Sequence, residues 1–231
     1  MLLDALNFFA CILFPTCCGV CGKISKNWIC ENCYKSLERL KINQNKISKK
    51  KVIYIFRYKG IIRNLIIKYK FNNCAYLSNL FAEIILNDEY YLELFNNYDY
   101  IIPVPMYKEK KKQRGYNQTE LILNKIFENE NLKKGEYEEL VEKEKPKFKV
   151  KLDLDILEKV KNTKMQSSLS KTLRKENIKN AFLVNNKEKI KNKKIIIFDD
   201  IYTTGETTKE ISRLLKECNV KEILIFVIAK D

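Results

Sequence analysis

"KIIIFDDIYTTGETT", residues 194–208, is an apolar run that ends in two aspartates and then in threonines clustered around one glycine. A continuous Ile/Phe run bounded by turn-forming residues predicts a strand buried on both faces. In an open α/β sheet, ligands bind beyond the carboxyl ends of the strands, where Asp199 and Asp200 stand. A helix beginning near Glu206 aims its first amides and the positive end of its dipole at the preceding loop, which makes that loop an anion site. Thr203, Thr204, Thr207 and Thr208 add hydroxyl donors, and Gly205 lets the backbone approach closely. The aspartates repel a phosphate but accept hydrogen bonds from a pair of sugar hydroxyls beside it. Phosphate and vicinal hydroxyls together describe a ribose 5-phosphate. The plainer alternative is an N-capped helix after a strand, with Asp and Thr as turn formers.

Other segments supply the rest of a sheet. "KVIYIFRY" alternates like a strand and is broken at Gly60, after which "IIRNLIIKYKF" has helical spacing. Residues 75–95 read as one further helix. "YDYIIPVP" is a buried strand ending in a Pro-bounded turn. "MYKEKKKQRGYNQTELILNKIF" reads as a basic loop opening into a helix, and residues 128–151 as a charged surface excursion. "AFLV" and "EILIFVIA" are further strands. Strands alternating with helices predict an α/β fold with a mostly parallel sheet and crossover helices.

"FPTCCGVCGKISKNWICENCYKSL" holds two CxxC pairs, Cys18/Cys21 and Cys30/Cys33, separated by eight residues. Two such knuckles can offer four thiolates in a tetrahedron, which suits a structural Zn²⁺ with no open position for catalysis. Gly22 helps the backbone turn so that amides face the sulfurs. A disulfide pair is the competing reading, disfavoured in a reducing compartment. Cys17 adjoins the first pair at a poorer spacing. Cys11, Cys74 and Cys218 lie in apolar helical contexts and read as core residues.

The chain has 231 residues and a formal charge of +15, from 44 basic and 29 acidic residues. Such an excess attracts nucleic acid or an anionic membrane surface. The 38 lysines against 6 arginines, with abundant Asn and Ile, equally fit an AT-rich coding sequence. There is no histidine, which excludes Ser-His-Asp and Cys-His devices and any histidine-ligated metal. The N-terminal "LLDALNFFACILF" is too short to span a bilayer and lacks a basic leader and a small-residue cleavage site. Leu2, Leu6, Phe9 and Leu13 give it the spacing of a short amphipathic helix. With no other long apolar window, the expectation is a cytoplasmic protein without a membrane span.

The segment from the apolar run through Asp199, Asp200 and TTGxT resembles the phosphoribosyl pyrophosphate (PRPP) motif of type I phosphoribosyltransferases. The four-cysteine module, "IIPVPMYKEKKKQRGYNQTELI", "MQSSLSKTLRKENIKNAF" and "FDDIYTTGETT" occur in an order similar to that of the ComF/ComFC family, which includes GntX-like proteins. The resemblance spans nearly the whole chain. It implies an N-terminal helix and zinc finger over residues 1–45 and a phosphoribosyltransferase-like domain over 46–231. It also implies a role in natural competence and the uptake of transforming DNA.

Carried over residue by residue, Pro103 and Pro105 correspond to the pyrophosphate loop, and Arg114, Gly115, Tyr116, Asn117 and Gln118 to the family's RGxNQ. Asp199, Asp200, Thr203, Thr204, Gly205, Glu206 and Thr207 would bind PRPP with Mg²⁺. Lys161, Thr163, Gln166 and Arg174 resemble the mobile loop that closes over PRPP in amidophosphoribosyltransferase-like enzymes. The family has Arg where Lys161 stands, and commonly Gly where Asn180 stands; lysine keeps the charge but loses the bidentate fork. The implied reaction is displacement of pyrophosphate at C1 by an unassigned acceptor, with Asp199, Asp200, Arg114, Lys161 and Arg174 at the chemistry and Asp200 as the candidate for any base role. The alternative is a non-catalytic module that binds single-stranded DNA, through Lys108–Lys112 and Lys143–Lys151, or competence proteins such as the ComFA helicase. For Lys110–Lys112, a solvated charge run is an equally plain reading.

Overall fold

The computed structural model describes residues 17–25, 28–42, 51–128, 148–163 and 177–231. The helix expected over residues 2–13, Cys11, Gln166, Arg174 and residues 143–147 of the basic patch lie outside them. In chain order the elements are α1 (Glu31–Glu38), β1 (Val52–Arg57), α2 (Gly60–Phe71), α3 (Leu77–Leu86), α4 (Glu89–Asn96), β2 (Tyr100–Pro103), α5 (Lys108–Arg114), α6 (Gln118–Glu128), β3 (Lys151–Leu152), β4 (Leu157–Lys159), β5 (Phe182–Val184), α7 (Lys187–Ile190), β6 (Lys194–Tyr202), α8 (Glu206–Glu217) and β7 (Glu222–Lys230).

Five strands form one parallel sheet in the order β1-β7-β6-β2-β3, as the alternation of elements predicts. The two Ile-rich strands β6 and β7 lie in its middle and are buried along most of their length. Helices cover both faces, so hydrophobic runs rather than alternation mark these strands. One face packs Ile196, Phe198 and Phe226 against α2, α3, α4 and α6. The other packs Ile195, Ile197 and Val227 against α8 and the segment around β4 and β5. Strands β4 and β5 pair separately as a short antiparallel sheet.

The four-cysteine module does not stand apart from this core. Cys18, Ile29 and Leu37 are buried in the same cluster as Ile53, Leu65 and Leu77. Lys68 of α2 also donates to the Gly19 carbonyl at 2.8 Å.

Four local expectations change. The single helix over 75–95 divides at Asn87 and Asp88, two residues that favour helix ends because their side chains compete for backbone groups. The basic stretch after β2 is a helix, α5, which Gly115 ends in the left-handed conformation (φ 85°). Residue 151, read as the end of a surface excursion, opens strand β3 (Lys151–Leu152) beside β2. Strand β6 does not stop at Phe198: Asp199, Ile201 and Tyr202 remain paired with Val227, Ala229 and Lys230 of β7. Cys218 is buried as expected, whereas Cys74 lies in the turn between α2 and α3 and is only partly buried.

Candidate functional site at the carboxyl end of the sheet

Because β6 continues as a strand, Asp199 and Asp200 project to opposite faces of the sheet. Asp200, 7 % exposed, falls on the side of α2, where the Lys70 ammonium donates to its Oδ1 at 2.9 Å and makes an ion-pair contact with its Oδ2 at 2.8 Å. Asp199 also accepts from the Asp200 amide at 2.9 Å. Burial and the charge of Asp200 push the Asp199 carboxyl up to about 7, against the pull of Lys70 and Lys159. Lys159 at the end of β4 is itself brought down to about 8, first by burial and then by Lys110. Lys70 and Lys159 thus act on the two carboxylates as counter-charges. Their sequence contexts, one inside an apolar helix and one in a short strand, carry no motif. Only the fold brings Lys70 to a residue 130 positions away.

The loop after β6 has the geometry of an anion cradle. Gly205 is left-handed (φ 76°) and precedes the first turn of α8. A Cβ there would lie 2.2 Å from the Tyr202 hydroxyl oxygen, so this glycine answers to both backbone and space. Thr208 donates to the Gly205 carbonyl at 3.0 Å and braces the helix start. Lys209 reaches the Thr204 carbonyl at 3.1 Å and Glu206 at 2.8 Å. The Thr204 hydroxyl is buried without a hydrogen-bond partner among the described residues. A buried orphan hydroxyl carries a desolvation cost that a ligand oxygen removes.

Opposite this loop stands the segment after β2. The Val104 amide donates to Phe198 at 2.9 Å, and the Val104 carbonyl accepts from Asn117 at 3.2 Å and from Thr119 at 2.9 Å. Asn117 therefore braces the Pro103–Pro105 turn rather than facing the ligand space. The Tyr116 hydroxyl donates to the Tyr69 carbonyl, and the Tyr69 hydroxyl to the Gln118 carbonyl at 2.8 Å. These bonds fix the end of α2 against the turn after α5. Arg114 sits with its guanidinium 5.0 Å from the centre of the Phe71 ring. Burial lowers its pKa and the Asp200 carboxylate opposes that fall, so Arg114 belongs to the same charge cluster as Lys70. Lys161 is exposed, two residues beyond the end of β4.

The α5 lysines are less free than a basic loop would make them. Lys108 pairs with Glu158 at 3.4 Å, Lys111 with Glu120 at 2.8 Å, and Lys110 donates to the Thr163 carbonyl. Asn180, where glycine is the commoner residue in the resembling family, has φ 55°. Asn tolerates that left-handed conformation better than other non-glycine residues. Its amide is held by Glu210 of α8 at 3.2 Å.

The second cluster is Cys18, Cys21, Cys30 and Cys33, whose sulfurs all lie within 4.8 Å of one another, a grouping able to hold a metal ion. The Gly22 amide donates to the Cys18 carbonyl at 2.9 Å, the Cys18 amide to Lys23 at 2.8 Å, and Gly22 is left-handed (φ 75°). Burial raises the Cys18 thiol, but amides of Cys21, Cys30 and Val20 outweigh it and bring it to about 6. Cys33 is pushed to about 12 by burial and the neighbouring sulfurs. Cys17 lies outside the cluster, in a bridge with Ile24.

Comparison with known proteins agrees with these features. Residues 140–231 match the phosphoribosyl transferase domain family. Competence protein F of Haemophilus influenzae is 29% identical over 226 residues, covering 94% of this chain and 85% of that protein. Competence protein ComFC of Streptococcus pneumoniae is 25% identical over 176 residues, 76% of this chain and 66% of its own length. DNA utilization protein YhgH of Escherichia coli O6:H1 is 29% identical over 117 residues, and the match spans 51% of this chain and 43% of that protein. The resemblance to ComF/ComFC proteins read from the motifs is borne out, as is the type I phosphoribosyltransferase-like fold with a four-cysteine cluster before it. Among the described residues, no helix is long and apolar enough to cross a membrane.

The raised Asp199 pKa sets a stability window. The folded protein binds this proton more tightly than the unfolded chain does, so between the ordinary value of 3.8 and about 7 stability falls as pH rises. Above that window the destabilisation is complete. Asp199→Asn should flatten this dependence and melt at a higher temperature than the parent protein at pH 8, as followed by circular dichroism. Identical pH profiles for the two proteins would show that Asp199 ionises normally.

Proposed function

We propose that this ComF-like chain binds PRPP, or ribose 5-phosphate, between the end of β6, the start of α8 and the Pro103–Pro105 turn. The observation that carries this reading is the orphan Thr204 hydroxyl, buried in a loop that opens a helix directly after two carboxylates. The Thr203–Thr207 loop offers hydroxyls and helix-end amides to the 5-phosphate. Asp199 and Asp200 accept from the ribose hydroxyls, while Arg114 stands on the pyrophosphate side.

The reaction this supports is displacement of pyrophosphate at C1 by an acceptor nucleophile. The C1–O bond breaks with the electron pair leaving on pyrophosphate, and the transition state is oxocarbenium-like. The protein positions the ribose and stabilises the departing charge, a task that needs cations and amides more than a histidine. Both oxygens of Asp200 already face Lys70, so Mg²⁺ fits as an ion carried mainly by the ligand's own oxygens and water. When bound it supplies charge neutralisation at the pyrophosphate. Calorimetric titration with PRPP and Mg²⁺ tests the reading. The double variant Asp199→Asn/Asp200→Asn should bind at least about tenfold more weakly, since charge-assisted hydrogen bonds contribute roughly 1.5–3 kcal/mol each. Equal affinity in the two proteins would reduce the carboxylates to turn formers.

The four sulfurs support structural zinc, because a closed thiolate tetrahedron suits that ion and leaves no open position. Metal analysis should find one zinc per chain. Cys30→Ala should lose it and expose the module to proteolysis, since the binding energy of such a site is also folding energy. Full zinc retention in Cys30→Ala would remove that assignment.

A second reading, nucleic-acid binding in DNA uptake, is favoured by a cleft of about 520 Å³ at the amino ends of the strands, lined by Lys149, Lys151, Lys193, Lys194 and Lys221. It lies at the opposite end of the sheet from Asp199 and Asp200. Single-stranded DNA should bind with a log–log salt slope of about −0.7 per phosphate contacted. Lys149→Gln with Lys151→Gln should flatten that slope and leave PRPP binding intact. No DNA binding at low salt would return the +15 charge to base composition.

A further inference from the structure

We propose that Lys70 is a ligand-binding residue, whose ammonium stays anchored to Asp200 and presents a further donor to the pyrophosphate; this rests on the PRPP reading above. An ammonium carries three donors. One of them goes to Oδ1 of Asp200 at 2.9 Å, and Oδ2 lies in ion-pair contact with the same ammonium at 2.8 Å. For the other two, no hydrogen-bond partner occurs among the described residues. The cation is also the more open member of the pair, 20% exposed against 9% for the Asp200 side chain, so part of it reaches solvent.

The neighbourhood says which anion this donor meets. Phe71, next to Lys70 at the end of α2, lies beneath the Arg114 guanidinium. Arg114 in turn feels the Asp200 carboxylate. Lys70 and Arg114 therefore flank Asp200 on the α2 side of the sheet, away from the Thr203–Thr207 loop assigned to the 5-phosphate. Anchoring matters because a lysine has a long flexible stem, and fixing it in advance lowers the ordering cost when an anion arrives. The Tyr116–Tyr69 and Tyr69–Gln118 bonds hold the helix end that carries it. The carboxylate thus has two roles: it accepts from the sugar, and it aims the cation at the group beside the sugar.

A residue in this position discriminates between two ligands that share a ribose 5-phosphate. Lys70→Met should weaken PRPP, titrated with Mg²⁺, by about tenfold or more, the size of one lost charge-assisted contact. Binding of ribose 5-phosphate, which lacks the pyrophosphate, should weaken by much less, only through the lost counter-charge at Asp200. Lys70→Gln, which keeps a donor to Asp200 and loses the charge, should show the same split, and Lys70→Arg should restore most of the PRPP affinity. Melting temperatures of all three variants accompany the titrations. If both ligands weaken to the same extent, Lys70 only holds Asp200 in place and the proposal is overturned while the PRPP site stands. If the parent protein binds neither ligand, the site reading and this proposal fall together.

Discussion

Adjacent carboxylates at the end of a buried strand can be kept only if cations meet them from both faces of the sheet. Removing a carboxylate from water is costly, and a second one beside it adds repulsion. The fold answers with Lys70 from the end of α2 at Asp200, and with Lys159 from β4 acting on Asp199. Much of the surrounding architecture serves those two placements. The end of α2 is fixed by the tyrosine bonds to the turn after α5, and β4 is fixed by its pairing with β5. The order of the central strands then places the whole arrangement at the carboxyl end of the sheet, where the loop into α8 begins.

This arrangement also explains why the four-cysteine module packs where it does. Helix α2 holds the Gly19 carbonyl through Lys68 and Asp200 through Lys70. Residues two apart on a helix do not share a face, so one helix end reaches the cysteine knuckle and the carboxylate in different directions. The hydrophobic surface beneath, from Cys18, Ile29 and Leu37 to Leu65 and Leu77, is continuous with the core of the sheet.

What was legible in the sequence follows from the range of the signal. The run at 195–198 announced a buried strand because sheets covered on both faces need uninterrupted apolar residues. The cysteine pairs announced their cluster because ligand spacing is a local property. Lys70 and Lys159 had no such mark, since their roles depend on partners brought close only by tertiary folding. Strand β6 ran past Phe198 against the composition of its own sequence: Asp is a poor strand former, but β7 supplies a ladder through Lys230. The break at Asn87 and Asp88 could have been read from their known preference for helix ends. The helix over Lys108–Arg114 was obscured by charge, although lysine, glutamate, glutamine and arginine are good helix formers and Gly115 marks its end.

The absence of histidine removes the side chain that ordinarily titrates near neutral pH, yet it does not make the folded protein insensitive there. Burial and the charge of Asp200 bring Asp199 up to about 7, and burial and Lys110 bring Lys159 down to about 8, each shift opposed by the other group. The carboxyl end of the sheet therefore stores protons as a histidine-bearing pocket would. An anion arriving beside Lys159 favours its charged form, and hydroxyls donating to Asp199 favour its carboxylate. A ligand bound at the carboxyl end as proposed would redistribute protons between protein and solvent, and its heat of binding would include the ionisation enthalpy of whichever buffer exchanges them.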